Sequence, residues 1–229
     1  ALNIMGSGPS SVLSSILATG NLSVGNSSAC CTGTDAIIEG YHRIKAGRAK
    51  RMVVGGTEGY SPYKWASLDA MRVLNSQKNE VPIEASRPMS ATASGFVPAS
   101  GAGVLILESL ESALQRGAPI VAEILSGFSN SGGQRNGGTS TFPNNEGVLR
   151  CIDTAIQQAG ISMGEVDAIN GHLTGTKADP NEIRNWAQQF KGEEFPLINA
   201  TKSLIGHSLG ASGAIESVAS ILQIDGQFM

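Results

Sequence analysis

The 229 residues of this chain include only three cysteines and three histidines, and four of these six sit in turns built from small residues. The segments are Ser-Ser-Ala-Cys-Cys-Thr-Gly at 27–33, Gly-His-Leu-Thr-Gly-Thr at 171–176 and Thr-Lys-Ser-Leu-Ile-Gly-His-Ser-Leu-Gly-Ala at 201–211. A thiol with two imidazole partners is the pattern of covalent catalysis by sulfur. Cys30 follows a short apolar run and begins a helix. There the helix dipole and unpaired backbone N–H groups are expected to lower its pKa. Ser27, Ser28, Ala29, Thr32 and Gly33 are small enough for a sharp turn and close substrate approach. The residues alone leave Cys30 and Cys31 both open as the nucleophile, and a buried structural thiol is the bland alternative. His172 is expected at the end of a strand, where α/β proteins place active groups, with the Thr174 and Thr176 hydroxyls just beyond it. His207 precedes a helix, whereas His42 has no motif around it. Lys202 is either exposed at a turn or buried beside a carboxylate, with Glu182 and Asp179 as candidates. No CxxC or HExxH spacing occurs, so no metal site is expected.

The elements that must position these groups alternate. Strands are predicted at 22–28, 51–56, 103–108, 120–127, 166–170 and 196–200. Helices are predicted at 36–45, 64–71, 109–116, 146–159, 181–190 and 210–224, and a loop rich in Gly, Ser and Asn at 129–141. Such alternation implies an α/β fold with a mostly parallel sheet. Helix 210–224 is apolar most of the way round, and so is expected to be buried, as is the small-residue helix starting at Cys30.

Composition narrows the classes. Hydrophobic content of 41%, charged content of 15% and a net charge of −3 are globular values that exclude a nucleic-acid binder. The small cluster Lys45, Arg48, Lys50 and Arg51 is either a solvated helix end or a docking spot for an acidic partner. Three Cys, two of them adjacent, make no disulfide framework, and a reducing cytoplasm fits. No run approaches a membrane span and no signal peptide is read. A first residue of Ala is expected of a trimmed or partial chain.

Together the three segments resemble the elongating β-ketoacyl–acyl carrier protein synthases of the thiolase-like superfamily. Further stretches carry the resemblance: Val54-Gly55-Gly56-Thr57-Glu58, Ser86-Arg87-Pro88 through Gly95-Phe96-Val97, and Pro143-Asn144-Asn145-Glu146-Gly147. It implies a layered α/β/α/β/α fold with buried helices, built of two similar halves. Residues 1–117 would be the latter part of the nucleophile half, and 118–229 the first part of the His/Lys/His half. It implies Cys30 as the nucleophile, with its backbone N–H in the oxyanion hole. His172 and His207 would be the imidazoles that stabilise an enolate, with Lys202 holding the site's electrostatics. Thr174 and Thr176 would bind the phosphopantetheine arm, Phe96 would line the substrate site, and Glu182 and Asp179 would be supporting acids. The implied reaction is decarboxylative condensation of an acyl group on Cys30 with a malonyl carrier. No cofactor is implied, because the phosphopantetheine arrives on the acyl carrier protein. A homodimer through the strand from Leu22 to Ser28 is expected, and a cytoplasmic location.

The chain also departs from the family pattern. Leu173 stands where a Gly is usual. Met89, Ser90, Ala93 and Ser94 replace a set that carries an ion pair. Family chains are nearly twice as long, so the fold is expected to be incomplete at both ends and to lack a second oxyanion-hole donor. Two rival readings follow. One is a decarboxylase or starter-selecting synthase in the same fold. The other is a truncated, non-catalytic paralogue or fragment that binds a partner ketosynthase or a carrier.

Overall fold

The computed structural model describes residues 5–134 and 143–228. Residues 1–4, 229 and the stretch 135–142, which takes in most of the predicted Gly/Ser/Asn loop, lie outside them. In chain order the elements are α1 (Gly8–Ile16), α2 (Thr32–Lys45), β1 (Arg51–Glu58), α3 (Pro62–Ala70), β2 (Gly101–Glu108) and α4 (Leu110–Gln115). Then come α5 (Asn145–Ala159), β3 (Ala168–Asn170), α6 (Asp179–Gln189), β4 (Leu197–Asn199), α7 (Lys202–Ile205) and α8 (Ser212–Gly226). The caps follow local chemistry. Ser61 starts α3 by accepting the Lys64 N–H, and Asn144 starts α5 by accepting from Glu146 and Gly147. Gly160 closes α5 in the left-handed region, at φ 72°.

Strands β1 and β2 pair antiparallel, with Arg51 opposite Glu108 and Glu58 opposite Gly101. Strands β3 and β4 pair parallel over three residues each. The mostly parallel sheet expected from the sequence is therefore half right among the described residues. The expected strands at 22–28 and 120–127 are irregular instead. A strand exists only where its backbone groups find a ladder partner, and these two segments are tied down by side chains. Ser23 Oγ donates to the Ser10 carbonyl at 3.2 Å, and Tyr41 Oη to the Leu125 carbonyl at 2.8 Å. Helix α1, not anticipated from the sequence, has no buried residue.

The core gathers where α2 and α8 meet β1 and β2. Ile37, Val54 and Ala214 are buried there, with Met52, Leu105, Leu107 and Ile124 packed around them. Contact is close because small residues face each other. A Cβ on Gly33 would stand 2.7 Å from the Ala214 backbone nitrogen, so only glycine lets α2 and α8 touch. Burial of α8 is confined to its first turn, at Ser212, Gly213 and Ala214; Leu222 and Ile224 remain exposed. Along α8 the residues Ser212, Glu216, Ser220 and Gln223 form a polar stripe at helical spacing, and each one bonds across to a neighbouring element or turn.

Candidate active site

Cys30 sits in a 3-10 turn, Ala29–Cys31, that runs into α2. The turn is tight. Ala29 is held at φ 53°, unusual for a residue with a side chain, and Thr32 Oγ1 donates to its carbonyl at 2.7 Å. Thr32 Oγ1 also accepts the Ser28 N–H at 2.9 Å. These local bonds point the Cys30 sulfur toward the second half of the chain.

His207 is fixed by its backbone. Its N–H donates to the Val97 carbonyl at 2.7 Å and its carbonyl accepts from Ala99 at 2.9 Å. Gly206 makes the approach: it lies at φ 75°, and a Cβ there would stand 2.8 Å from the Val97 oxygen. The Phe96 ring, buried in the adjoining strand-like stretch, meets the His207 ring edge to face at 5.0 Å. His207 Nε2 lies 3.1 Å from Cys30 Sγ, and the His172 ring stands 5.3 Å from that of His207 between centroids. The three side chains that the sequence singled out, across 177 positions, thus form one cluster.

The tautomer of His207 follows from its other nitrogen. The Leu209 backbone N–H, which can only donate, reaches Nδ1 at 3.3 Å. Nδ1 is therefore an acceptor and Nε2 carries the proton. Burial pushes the His207 imidazole down to about 3, with His172 and Lys202 acting in the same direction. Burial likewise takes His172 down to about 4, assisted by Lys202 and opposed by Asp179. His172 as a residue is exposed, unlike His207. Both rings are neutral near pH 7. One thiol and two imidazoles lie close enough together to hold a soft cation. The protonated Nε2 of His207 and the positive field of Lys202 count against that use.

For Cys30 the structure reverses one expectation. Its thiol is pushed up, not down: burial is the largest cause and Cys31 adds to it, while Lys202 and the Cys30 N–H pull the other way. Partial burial of the sulfur outweighs the short turn at the head of α2.

Lys202 is buried, at 1% exposure. Its ammonium pairs with Glu216 on α8, not with Glu182 or Asp179 as the sequence suggested. Those two acids do other work, on α6. Glu182 accepts the backbone N–H groups of His172 at 2.7 Å and Leu173 at 3.0 Å. Asp179 accepts those of Thr174 and Gly175, both at 2.9 Å, and of Met89 at 3.1 Å. Backbone donors that the loop cannot satisfy internally are met by the acids of the first turn of α6. Thr174 and Thr176 stand side by side, their hydroxyls 2.9 Å apart. Leu173 is buried, at 2% exposure.

Several contributors were given no role at the site by the sequence, although Glu58 and Ser86 lie in stretches that carry the resemblance. Glu216 partners Lys202, Ser86 Oγ donates to the Lys202 carbonyl, and Glu58 accepts the Gly210 N–H at 3.1 Å while pairing with Lys64. Ser212 Oγ lies 2.9 Å from His207 Nδ1. The polar stripe on an otherwise apolar α8 was the signal that could have found Glu216 and Ser212.

Comparison with known proteins agrees with this geometry. Residues 1–113 match the family model described as beta-ketoacyl synthase, N-terminal domain, and residues 121–229 the one described as beta-ketoacyl synthase, C-terminal domain. The chain belongs to the β-ketoacyl synthase family. It is 42% identical over 201 residues to the chloroplastic 3-oxoacyl-[acyl-carrier-protein] synthase I of Arabidopsis thaliana, covering 87% of this chain and 42% of that one. Against 3-oxoacyl-[acyl-carrier-protein] synthase 1 of Escherichia coli it is 35% identical over 226 residues, covering 98% of this chain and 54% of the other. Among solved structures, it superposes with a TM-score of 0.90 on a type II PKS acyl-carrier protein in complex with its ketosynthase bound to the hexaketide. That match is 34% identical and covers 96% of this chain and 54% of the other. The ishigamide ketosynthase/chain length factor gives a TM-score of 0.87 at 31% identity, covering 97% and 53%. The fold is that of the ketosynthases, the thiolase-like α/β architecture. This β-ketoacyl synthase chain spans about half the length of the relatives it matches.

Proposed function

We propose that the chain supplies the nucleophile and the decarboxylating pair of an elongating β-ketoacyl–acyl carrier protein synthase. The observation that carries the reading is the contact of Cys30 Sγ with His207 Nε2 at 3.1 Å, beside a second neutral imidazole. In the first half-reaction the Cys30 sulfur attacks the acyl-carrier thioester. The S–C bond to the carrier breaks, the carrier thiol takes the proton, and the acyl group stays on Cys30. The Cys30 N–H then faces the oxygen of the tetrahedral intermediate. In the second half, malonyl-carrier binds with its thioester oxygen toward His207 Nε2–H and His172. CO2 leaves, the enolate is held by these neutral donors, and its carbon attacks the acyl group on Cys30. The β-ketoacyl-carrier departs, and the Cys30 thiolate takes up a proton. Neutral donors suit this task because they stabilise developing charge without protonating the carbanion.

Thr174 and Thr176, both half-buried, would hold the phosphopantetheine arm, and Phe96 would wall the His207 side of the substrate. Glu182 and Asp179 would hold the His172 loop in place. No cofactor beyond the arm borne by the carrier is required. The acyl carrier protein is the proposed partner. A homodimer is proposed through 22–28, where Leu22 and Val24 are exposed, with 1–117 and 118–229 as the two halves. A cytoplasmic location fits the free thiols of Cys30, Cys31 and Cys151. Among the described residues no helix is long and apolar enough to cross a membrane.

The test is product analysis. Incubation with an acyl-carrier and malonyl-carrier should give a β-ketoacyl-carrier by mass spectrometry, and Cys30→Ala should give none. CO2 release without any condensed product would favour the decarboxylase reading instead.

A further inference from the structure

Ser212 opens α8 and is buried at 2% exposure. Serines further along the same helix spend their hydroxyls on the carbonyl four residues back: Ser217 on Gly213 at 2.7 Å and Ser220 on Glu216 at 2.9 Å. This is the ordinary use of a helical serine. Ser212 is placed differently. Its oxygen lies 2.9 Å from His207 Nδ1 and 3.4 Å from the Ser208 hydroxyl, which is itself buried. Because the Leu209 N–H already marks Nδ1 as an acceptor, the Ser212 hydroxyl can only donate to it, leaving its own oxygen free to accept from Ser208. At 2.9 Å this bond is shorter than the 3.3 Å contact from Leu209, whose residue is held at φ 43°. The backbone alone therefore grips the ring loosely.

We propose that Ser212 is a positioning residue: its hydroxyl donates to His207 Nδ1 and keeps the Nε2–H directed at Cys30 and at the oxygen of an incoming thioester. The inference rests on the condensing reaction proposed above. A donor on Nδ1 has two effects. It blocks protonation at that nitrogen, and it draws electron density from the ring, strengthening Nε2–H as a donor. Among the described residues only the longer contact from the Leu209 N–H shares this task. The charged and titratable groups around it are Cys30, His172, Lys202 with its partner Glu216, and Glu58 beyond Gly210, and none of them is hydrogen-bonded to Nδ1.

The test uses Ser212→Ala and the near-isosteric Ser212→Cys, a weaker donor. Two readouts are taken: imidazole 15N NMR of the histidine-labelled protein across pH, and kcat and KM for malonyl-carrier decarboxylation across pH. In Ser212→Ala the Nδ1 resonance of His207 should move and its titration rise. Loss of one neutral hydrogen bond should lower kcat about fivefold to tenfold, with KM unchanged and the acid limb at higher pH. Ser212→Cys should fall between Ala and the parent. If the Nδ1 resonance, the titration and the acid limb match the parent in both variants, Ser212 merely fills space and the proposal is wrong. Should the parent itself release no CO2, the condensing reading fails, while the NMR arm still decides the role of Ser212. If Ser212→Ala does not fold, Ser212→Cys decides by the same criteria.

Discussion

At His207 the two ring nitrogens have separate tasks: Nδ1 is held by Leu209 and Ser212, and Nε2 faces Cys30. In the proposed reaction, removing the ring takes away a donor aimed at the developing enolate, so His207→Ala should lower malonyl-carrier decarboxylation by about 10²–10³ in kcat. Acylation of Cys30 should fall less, because the sulfur remains. Both imidazoles are depressed well below their ordinary 6.5, to about 3 for His207 and about 4 for His172. Activity should therefore stay level as pH falls through 6.5, and drop only as His172 protonates near 4. The same shifts tie stability to pH. Between about 4 and 6.5 the unfolded chain binds imidazole protons that the folded chain does not, so the two histidines add stability as pH rises across that window, while the raised carboxyls of Glu182 and Glu216 act in the opposite sense. Denaturation midpoints of the parent and of His172→Gln at pH 4.5, 5.5 and 7 check the sign; a parent that gains nothing over the variant as pH rises would contradict the neutral imidazoles.

The elements lock together through Lys202 and Gly33. With Glu216 removed, the Lys202 ammonium is left buried without its partner, and Glu216→Ala should cost about 3–5 kcal/mol in chemical denaturation. Replacing both residues by apolar ones of similar volume should restore part of the loss. Gly33→Ala drives a methyl into the backbone of α8 and should cost about 1–3 kcal/mol or more, read as a lower melting temperature. How far the sequence revealed these locks depended on range. Cys30, His172 and His207 were visible because their small-residue turns are local, and the helices from Thr32, Asn145 and Asp179 were visible through caps and periodicity. The partner of Lys202 was not, because it depends on how the turn at 206–211 folds α8 back. Glu216, 14 positions on, is nearer in sequence than either acid of α6, but nothing local shows that its side chain turns back to the ammonium. The lowered thiol expected for Cys30 failed for a similar reason: the helix dipole is a local term, while burial by the second half of the chain is not. The segments 22–28 and 120–127 have strand-like sequences, but a strand also needs a neighbour.

Over the whole molecule, the β1–β2 sheet covers one face with α2 and α8 and leaves apolar side chains open on the other. Val53, Val104 and Ile106 are 40%, 51% and 70% exposed, and Val24 and Val121 are 60% and 57% exposed. A surface of this kind seeks a cover. The 229-residue chain prepared alone should bind a hydrophobic dye and elute above monomer size on chromatography with light scattering. A monomer that does not bind dye would show that these residues are tolerated as they stand.

The account turns on one site assembled from both halves of the chain, with Cys30 as the group that becomes acylated. Intact-mass spectrometry with peptide mapping, after incubation with an acyl-carrier thioester, tests this most directly. A gain of one acyl group on the peptide bearing Cys30, lost in Cys30→Ala and kept in Cys31→Ala, is the result predicted. An acyl group carried by Cys31, or a gain that survives Cys30→Ala, would contradict it.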